Sequence, residues 1–172
     1  DPRRTWAIEE AVRGSGGVTI IHKAGHAFIK DRMRAEDAIF GGETSGHYYF
    51  RDFYYADNGL IPFLLLLEIV STSGKKVSEL FEPYFKKYAV SDELNFPLAA
   101  SSDAKRVLAK LEYKYADAVL TKIDGLSIEY SKWRANVRAS NNNQPLLRLN
   151  IEARTQEVLD LKRLELTDLL NK

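Results

Sequence analysis

The chain has 172 residues, 45% of them hydrophobic, enough for one sizeable core or two small ones. Its 25 Lys and Arg nearly balance 24 Asp and Glu, so a net charge of +1 leaves no electrostatic footprint for nucleic acid. There is no cysteine, which excludes disulfides and thiolate metal sites and fits the cytoplasm; the longest apolar run, Leu60–Val70, is far short of the roughly 20 residues that span a bilayer.

In chain order, apolar spacing predicts a helix over Trp6–Val12, stopped by Gly14, Gly16 and Gly17 before a β-branched strand, Val18–Ile21. A short basic helix near Ile29–Arg34 follows, then a buried strand, Ala38-Ile39-Phe40, opening into a glycine-rich segment, Gly41–Gly46. Asp57 or Asn58 is placed to cap a buried helix over Leu60–Val70, and Lys75 to about Tyr88 reads as an amphipathic helix containing Pro83. This alternation of strand and helix predicts an α/β layer.

Beyond about Lys87 the order changes: a strand near Glu93–Leu98, a helix from about Ser102 to Ala116, and three strands at Leu126–Tyr130, Trp133–Arg138 and Leu146–Ala153. In the last strand Leu147, Leu149 and Ile151 alternate with Arg148, Asn150 and Glu152, and Thr155 then caps a terminal helix with a broad apolar face. The second region is therefore expected to be an α+β domain, a small antiparallel sheet with helices on one face.

Two loops carry residues suited to chemistry. If Gly42–His47 is extended, Glu43, Ser45 and His47 share a face and can exchange hydrogen bonds with adjacent hydroxyls of a sugar. The same spacing also fits a capped turn with a solvated Glu43 and a structural His47. The segment from Arg138 to Pro145 offers a guanidinium fork, Ser and Asn donors, and backbone N–H groups for an anion. By residue type alone an ordinary polar hairpin loop is the favoured reading, which Asn-rich turns usually are.

Gly42-Glu43-Thr44-Ser45-Gly46-His47 resembles the Gly-Glu-x-Ser-Gly-His sugar loop of the α-D-phosphohexomutases, the phosphomannomutase/phosphoglucomutase type. Arg138-Ala139-Ser140-Asn141 resembles that family's phosphate loop; Gly25-His26-x-Phe28-Ile29-Lys30 and Asp57–Glu68 extend the likeness over essentially the whole chain. The resemblance implies a truncated third mutase domain at residues 1–87, layered α/β with the sugar loop, and a complete fourth domain at 88–172 with the phosphate loop.

It further implies that Glu43 and Ser45 bind sugar hydroxyls, with Thr44, Gly46 and His47 completing the loop. Arg138, Ala139, Ser140, Asn141 and Asn142 would hold the phosphate that is not reacting. His26 and Arg3 match cleft positions that contact phosphate or assist proton transfer. Because Arg3 stands where many relatives have lysine, electrostatic binding is its expected role. The phosphate loop, running through Asn143 and Gln144 to Pro145, is one residue longer than the family pattern, so either Asn142 or Asn143 takes the place of its threonine.

The implied ligands are hexose 1-phosphate, hexose 6-phosphate and hexose 1,6-bisphosphate, with no nucleic acid or membrane partner. No Thr-Ala-Ser-His-Asn-Pro-like phosphoserine segment and no Asp-Gly-Asp-Gly-Asp-Arg-like metal loop occurs, so Mg2+ and phosphoryl transfer are expected in N-terminal domains outside these residues. The chain is accordingly expected to be the recognition half of a mutase, inactive alone. The alternative is a stand-alone phosphosugar-binding or regulatory module.

Overall fold

The structure is a computed structural model that describes residues 1–100, 103–140 and 145–171. Backbone contacts divide it into two compact units, one of Asp1 and residues 20–86, the other of residues 2–19 and 87–172. The division after Lys86 lies beside the boundary expected from sequence. Residues 2–19, expected with the first region, instead make their contacts in the second.

The first unit has helix α2 (His26–Glu36), a three-stranded antiparallel sheet of β1 (Phe40–Gly42), β2 (Tyr48–Phe50) and β3 (Ala56–Asp57), and helices α3 (Leu60–Ser73) and α4 (Val77–Lys87). Its buried cluster is Ile29, Met33 and Tyr49. Gly41 lets α2 rest closely on β1: a Cβ at that position would lie 2.6 Å from Met33 Sδ and 3.0 Å from Ile29 Cγ2, so those side chains would have to shift.

Three expectations for this unit are corrected. Val18–Ile21 is not a strand: no neighbouring strand among the described residues supplies its hydrogen bonds, and Val18 is 89% exposed. The expected buried strand at Ala38–Phe40 begins only at Phe40, with Ile39 and Phe40 both exposed. The leucine-rich helix forms as its propensity requires but contains no buried residue, since the two- and three-residue strands of this sheet offer too little surface to cover it. Asn58, not Asp57, caps it: Asn58 Oδ1 accepts the Ile61 N–H at 2.8 Å.

The second unit carries helix α1 (Trp6–Gly14) and a six-stranded antiparallel sheet of β4 (Ala89–Val90), β5 (Leu94–Pro97), β6 (Val119–Thr121), β7 (Leu126–Glu129), β8 (Trp133–Ala139) and β9 (Leu146–Ala153). The order is β4-β9-β8-β7-β6, with β5 also on β9. Helices α5 (Asp103–Lys114) and α6 (Gln156–Leu170) pack on its apolar face, where Leu126, Ile128, Val137, Leu147, Leu149 and Ile151 meet Leu111, Leu159 and Leu166. This is the expected α+β arrangement, with the short strands β4 and β6 added to it. Thr155 Oγ1 caps α6 as expected, accepting the Val158 N–H at 3.3 Å.

Period-two alternation puts polar side chains on the other face, and register aligns them: Arg134 opposite Glu152, Asn136 opposite Asn150, Arg138 opposite Arg148. Residues 2–19 attach to this polar face. The Thr5 N–H donates to Glu152 at 2.9 Å, Trp6 Nε1 to Glu129 at 3.0 Å, and Arg134 Nη2 to the Pro2 carbonyl at 2.9 Å. Glu10 of α1 accepts from both Lys87 and Tyr88. These bonds explain why the N-terminal residues belong to this unit.

Candidate functional site

In the first unit the Glu43–His47 segment is a hairpin loop between β1 and β2, not an extended strand. The Gly46 N–H donates to the Glu43 carbonyl and the Glu43 N–H to the His47 carbonyl, both at 2.9 Å, and Gly46 takes a φ of +86°, which glycine adopts freely. Glu43 and Ser45 still come together, as the extended reading also had it, with Ser45 Oγ 3.5 Å from Glu43 Oε2. His47 instead turns to Asp57.

Glu43 is buried. Its Oε1 accepts from the hydroxyl of the fully buried Tyr49 at 2.6 Å. Burial, and then this bond to a carboxylate, push the Tyr49 hydroxyl above its ordinary pKa, so it stays a neutral donor and holds one oxygen of Glu43 in place. Thr44 is fixed by the Asp1 carboxylate, which accepts the Thr44 N–H at 2.6 Å and its hydroxyl at 3.2 Å. A positioned carboxylate oxygen beside a hydroxyl is suited to receive adjacent hydroxyls of a polyol.

His47 Nδ1 lies 2.7 Å from Asp57 Oδ2, and His26 Nε2, from the first turn of α2, lies 3.8 Å from the same oxygen. The Tyr48 N–H donates to the other Asp57 oxygen at 3.0 Å. The hydrogen bond from His47 is the main reason that Asp57 sits below the ordinary carboxylate pKa. His26 and Glu43 both meet Tyr49, the imidazole edge-on with ring centroids 5.3 Å apart. His26 therefore joins the loop residues through Tyr49 and Asp57, neither of which was a candidate from sequence.

The second unit holds the other constellation. Arg138, at the end of β8, is buried, and its Nη2 lies 3.3 Å from Glu93 Oε2; Arg148 Nη1 takes the other Glu93 oxygen at 2.7 Å. Burial, then the charge of nearby Arg3, depress the Arg138 pKa, while Asp124 and Glu93 partly offset them. Among the described residues Arg138 Nε and Arg148 Nε are buried without a hydrogen-bond partner. The Arg148 Nη2 reaches toward Ser140 Oγ at 3.5 Å, and the Ser140 N–H donates to the Leu146 carbonyl at 2.9 Å.

Arg3 and Arg138, expected to be site residues, are thus brought together in one unit. Arg148 was read only as part of a polar strand face. Its signal was the hairpin register, which sets it opposite Arg138. Gly125 keeps the neighbouring turn tight, since a Cβ there would collide with the Val137 carbonyl and stand 2.6 Å from Arg138 Cα. Arg138 and Arg148 share the two oxygens of Glu93, with the charges of Arg3 and Asp124 also felt at Arg138, and the two guanidinium forks are suited to a phosphate dianion. Asn141 and Asn142 lie outside the described residues.

A family model described as phosphoglucomutase/phosphomannomutase, alpha/beta/alpha domain III, matches residues 1–88. A protein named phosphohexose mutases from Xanthomonas campestris pv. campestris is 44% identical over 173 residues, covering 99% of this chain and 38% of that protein. A phosphomannomutase of Salmonella montevideo is 44% identical, covering 94% of this chain and 37% of its own length. The crystal structure of a phosphoglucomutase/phosphomannomutase family protein from Burkholderia thailandensis superposes with a TM-score of 0.74 at 28% identity, over 95% of this chain and 34% of that one. The chain spans little more than a third of the length of these relatives, and over that span the match in sequence and fold places it in the phosphoglucomutase/phosphomannomutase family.

Proposed function

We propose that this chain is the substrate-recognition part of a phosphohexomutase that interconverts hexose 1-phosphate and hexose 6-phosphate through hexose 1,6-bisphosphate. The observation that carries the reading is the sharing of Glu93 by Arg138 and Arg148, with Arg3 near enough to be felt at Arg138, at the start of the loop that resembles the family's phosphate loop. Arg138, Ala139, Ser140, Asn141 and Asn142 hold the phosphate that is not reacting. Arg3 strengthens that hold electrostatically. Glu43 and Ser45 take adjacent sugar hydroxyls, while Thr44, Gly46 and His47 set the shape of their loop.

Magnesium, which the family implies, prefers an octahedron of oxygens. The one convergent group of potential ligands among the described residues is His26, His47 and Asp57, whose two imidazoles do not fit it. Magnesium is therefore assigned to parts of the enzyme outside the described residues, where it would neutralise charge on the moving phosphate. The sequence also has no phosphoserine segment, so this chain alone binds without turning over.

NMR titration of the chain with mannose 1-phosphate and glucose 1-phosphate should shift Glu43–His47 and Arg138–Ser140, with affinity on the order of millimolar, about 4 kcal/mol. A coupled assay with magnesium and a bisphosphate activator should show no 6-phosphate product. Turnover above a contaminant control would refute the recognition-only role; shifts confined to other residues would refute the site. Glu43→Gln should weaken binding by about 1.5–3 kcal/mol, the usual worth of a hydrogen bond to a charged group. Ser45→Ala should cost less.

A further inference from the structure

The geometry points to a transition-metal site in the first unit, with His26 Nε2, His47 Nδ1 and Asp57 Oδ2 as three protein ligands for Zn2+ or a similar borderline cation. The three ligand atoms lie within 4.8 Å of one another. His47 Nδ1 is 2.7 Å and His26 Nε2 3.8 Å from Asp57 Oδ2. Around a tetrahedral zinc with bonds of about 2.0–2.2 Å, ligand atoms stand roughly 3.4 Å apart. Small side-chain movements therefore bring all three into range, and the metal takes the place of the proton that His47 now shares with Asp57.

The backbone already holds the parts of such a site. Pairing of β2 with β3 sets Asp57 opposite Tyr49, and the Tyr48 N–H on Asp57 Oδ1 leaves Oδ2 directed at the imidazoles. This bond is an outer-shell contact of the kind that orients a metal-binding carboxylate. The His26 ring is steadied edge-on against Tyr49 and lies 4.7 Å, centroid to centroid, from the His47 ring. All three side chains are partly accessible, which gives a metal a route in and leaves a fourth position for water or a ligand hydroxyl. Two nitrogens and one oxygen favour Zn2+, Co2+, Ni2+ or Cu2+ over Mg2+.

The chain contains only three histidines and no cysteine, so the alternatives are few and the test is clean. Zn2+ titrated into the chain by calorimetry should bind one equivalent with a Kd on the order of micromolar. Co2+ should give the intense visible bands of four-coordinate cobalt and be displaced by Zn2+ but not by excess Mg2+. His26→Gln and His47→Ala should each weaken binding at least as much as the roughly 10–100-fold typical for loss of an outer-shell partner. His22→Ala should leave it unchanged.

NMR spectra establish that each variant folds. If His47→Ala does not, His26→Gln, at the accessible start of α2, carries the test alone. Binding unchanged in the folded His26 variant, binding lost with His22, or displacement by Mg2+ would each overturn the assignment. Metal binding at these residues is read directly, whether or not Glu43 and Ser45 hold a sugar, so its failure and a failure of the sugar assignment are separately visible.

Discussion

Strand β8 presents Arg134 and Arg138 on the same polar face, both buried, yet in opposite company. Arg134 meets two carboxylates: its Nη1 lies 2.7 Å from Glu152 Oε2 and its Nε 3.6 Å from Glu129 Oε2, while Nη2 donates to the Pro2 carbonyl. Arg138 shares one glutamate with Arg148 and lies near Arg3, whose charge helps to depress its pKa. An arginine that remains ionised at neutral pH despite this depression costs folding free energy, and a bound anion offsets that cost. One end of the strand is thus an ion-paired structural network. The other is a cation-rich end, which we assign to phosphate.

The largest effect should come from cutting the ion-paired network. Glu152 is only 2% exposed, and Arg134→Ala would leave it buried without its guanidinium partner, the Thr5 N–H still donating to it. Breaking a buried pair from one side typically costs about 3–5 kcal/mol. Urea unfolding followed by tryptophan fluorescence reads this unit specifically, because both tryptophans, Trp6 and Trp133, belong to it. Arg134→Met combined with Glu152→Leu should recover most of the loss, since no charge is then stranded. A single variant as stable as the parent would break the contrast between the two ends.

Arg138→Ala should do the reverse, with little loss of stability and a marked loss of phosphosugar affinity. Removing one of several crowded guanidiniums relieves repulsion from Arg3 and Arg148, which compensates for the lost contact with Glu93. A charge-assisted bond to phosphate is worth about 1.5–3 kcal/mol, so affinity should fall roughly 10- to 100-fold for the sugar phosphate and hardly at all for the free sugar. Arg138→Lys should restore part of it, because the charge returns without the planar fork. An unfolding free energy reduced as far as in Arg134→Ala, with phosphosugar binding intact, would make Arg138 a second structural arginine.

The contrast was only half legible in the sequence. Alternation in Leu146–Ala153 and the cap at Thr155 are local signals, and both gave the right elements because adjacent residues decide them. Arg138 stood out through its loop. What distinguishes it from Arg134 is long-range: Glu152 and Arg148 arrive through the β8–β9 register, and Arg3 from the far end of the chain. The same holds for Asp57, which meets His47 because β2 pairs with β3. Composition misled where it spoke of burial. The leucines of α3 specify a helix, but what covers a helix depends on the size of the neighbouring sheet, which a local window does not contain.

The smallest predicted effect tests whether Glu93 balances the cation-rich end or competes with its ligand. Its two carboxylate oxygens face Arg138 and Arg148, so a phosphate drawing on the same guanidiniums must share them. Glu93→Gln keeps the side-chain shape and one acceptor oxygen but removes the charge. The cation excess grows, and affinity for sugar phosphate should rise. Glu93 is partly exposed, so the gain is limited to the range of accessible ion pairs, about 0.2–1 kcal/mol, or less than roughly sixfold. Stability should fall slightly for the same reason, because Arg138 and Arg148 then face one another with less compensation. Titration of phosphosugar into the variant, paired with urea unfolding, separates the two consequences. Affinity that rises as stability falls marks Glu93 as a competing counter-ion; affinity that falls with stability marks it as the brace that aims Arg138 and Arg148, and would place the binding geometry in Glu93 rather than in excess charge.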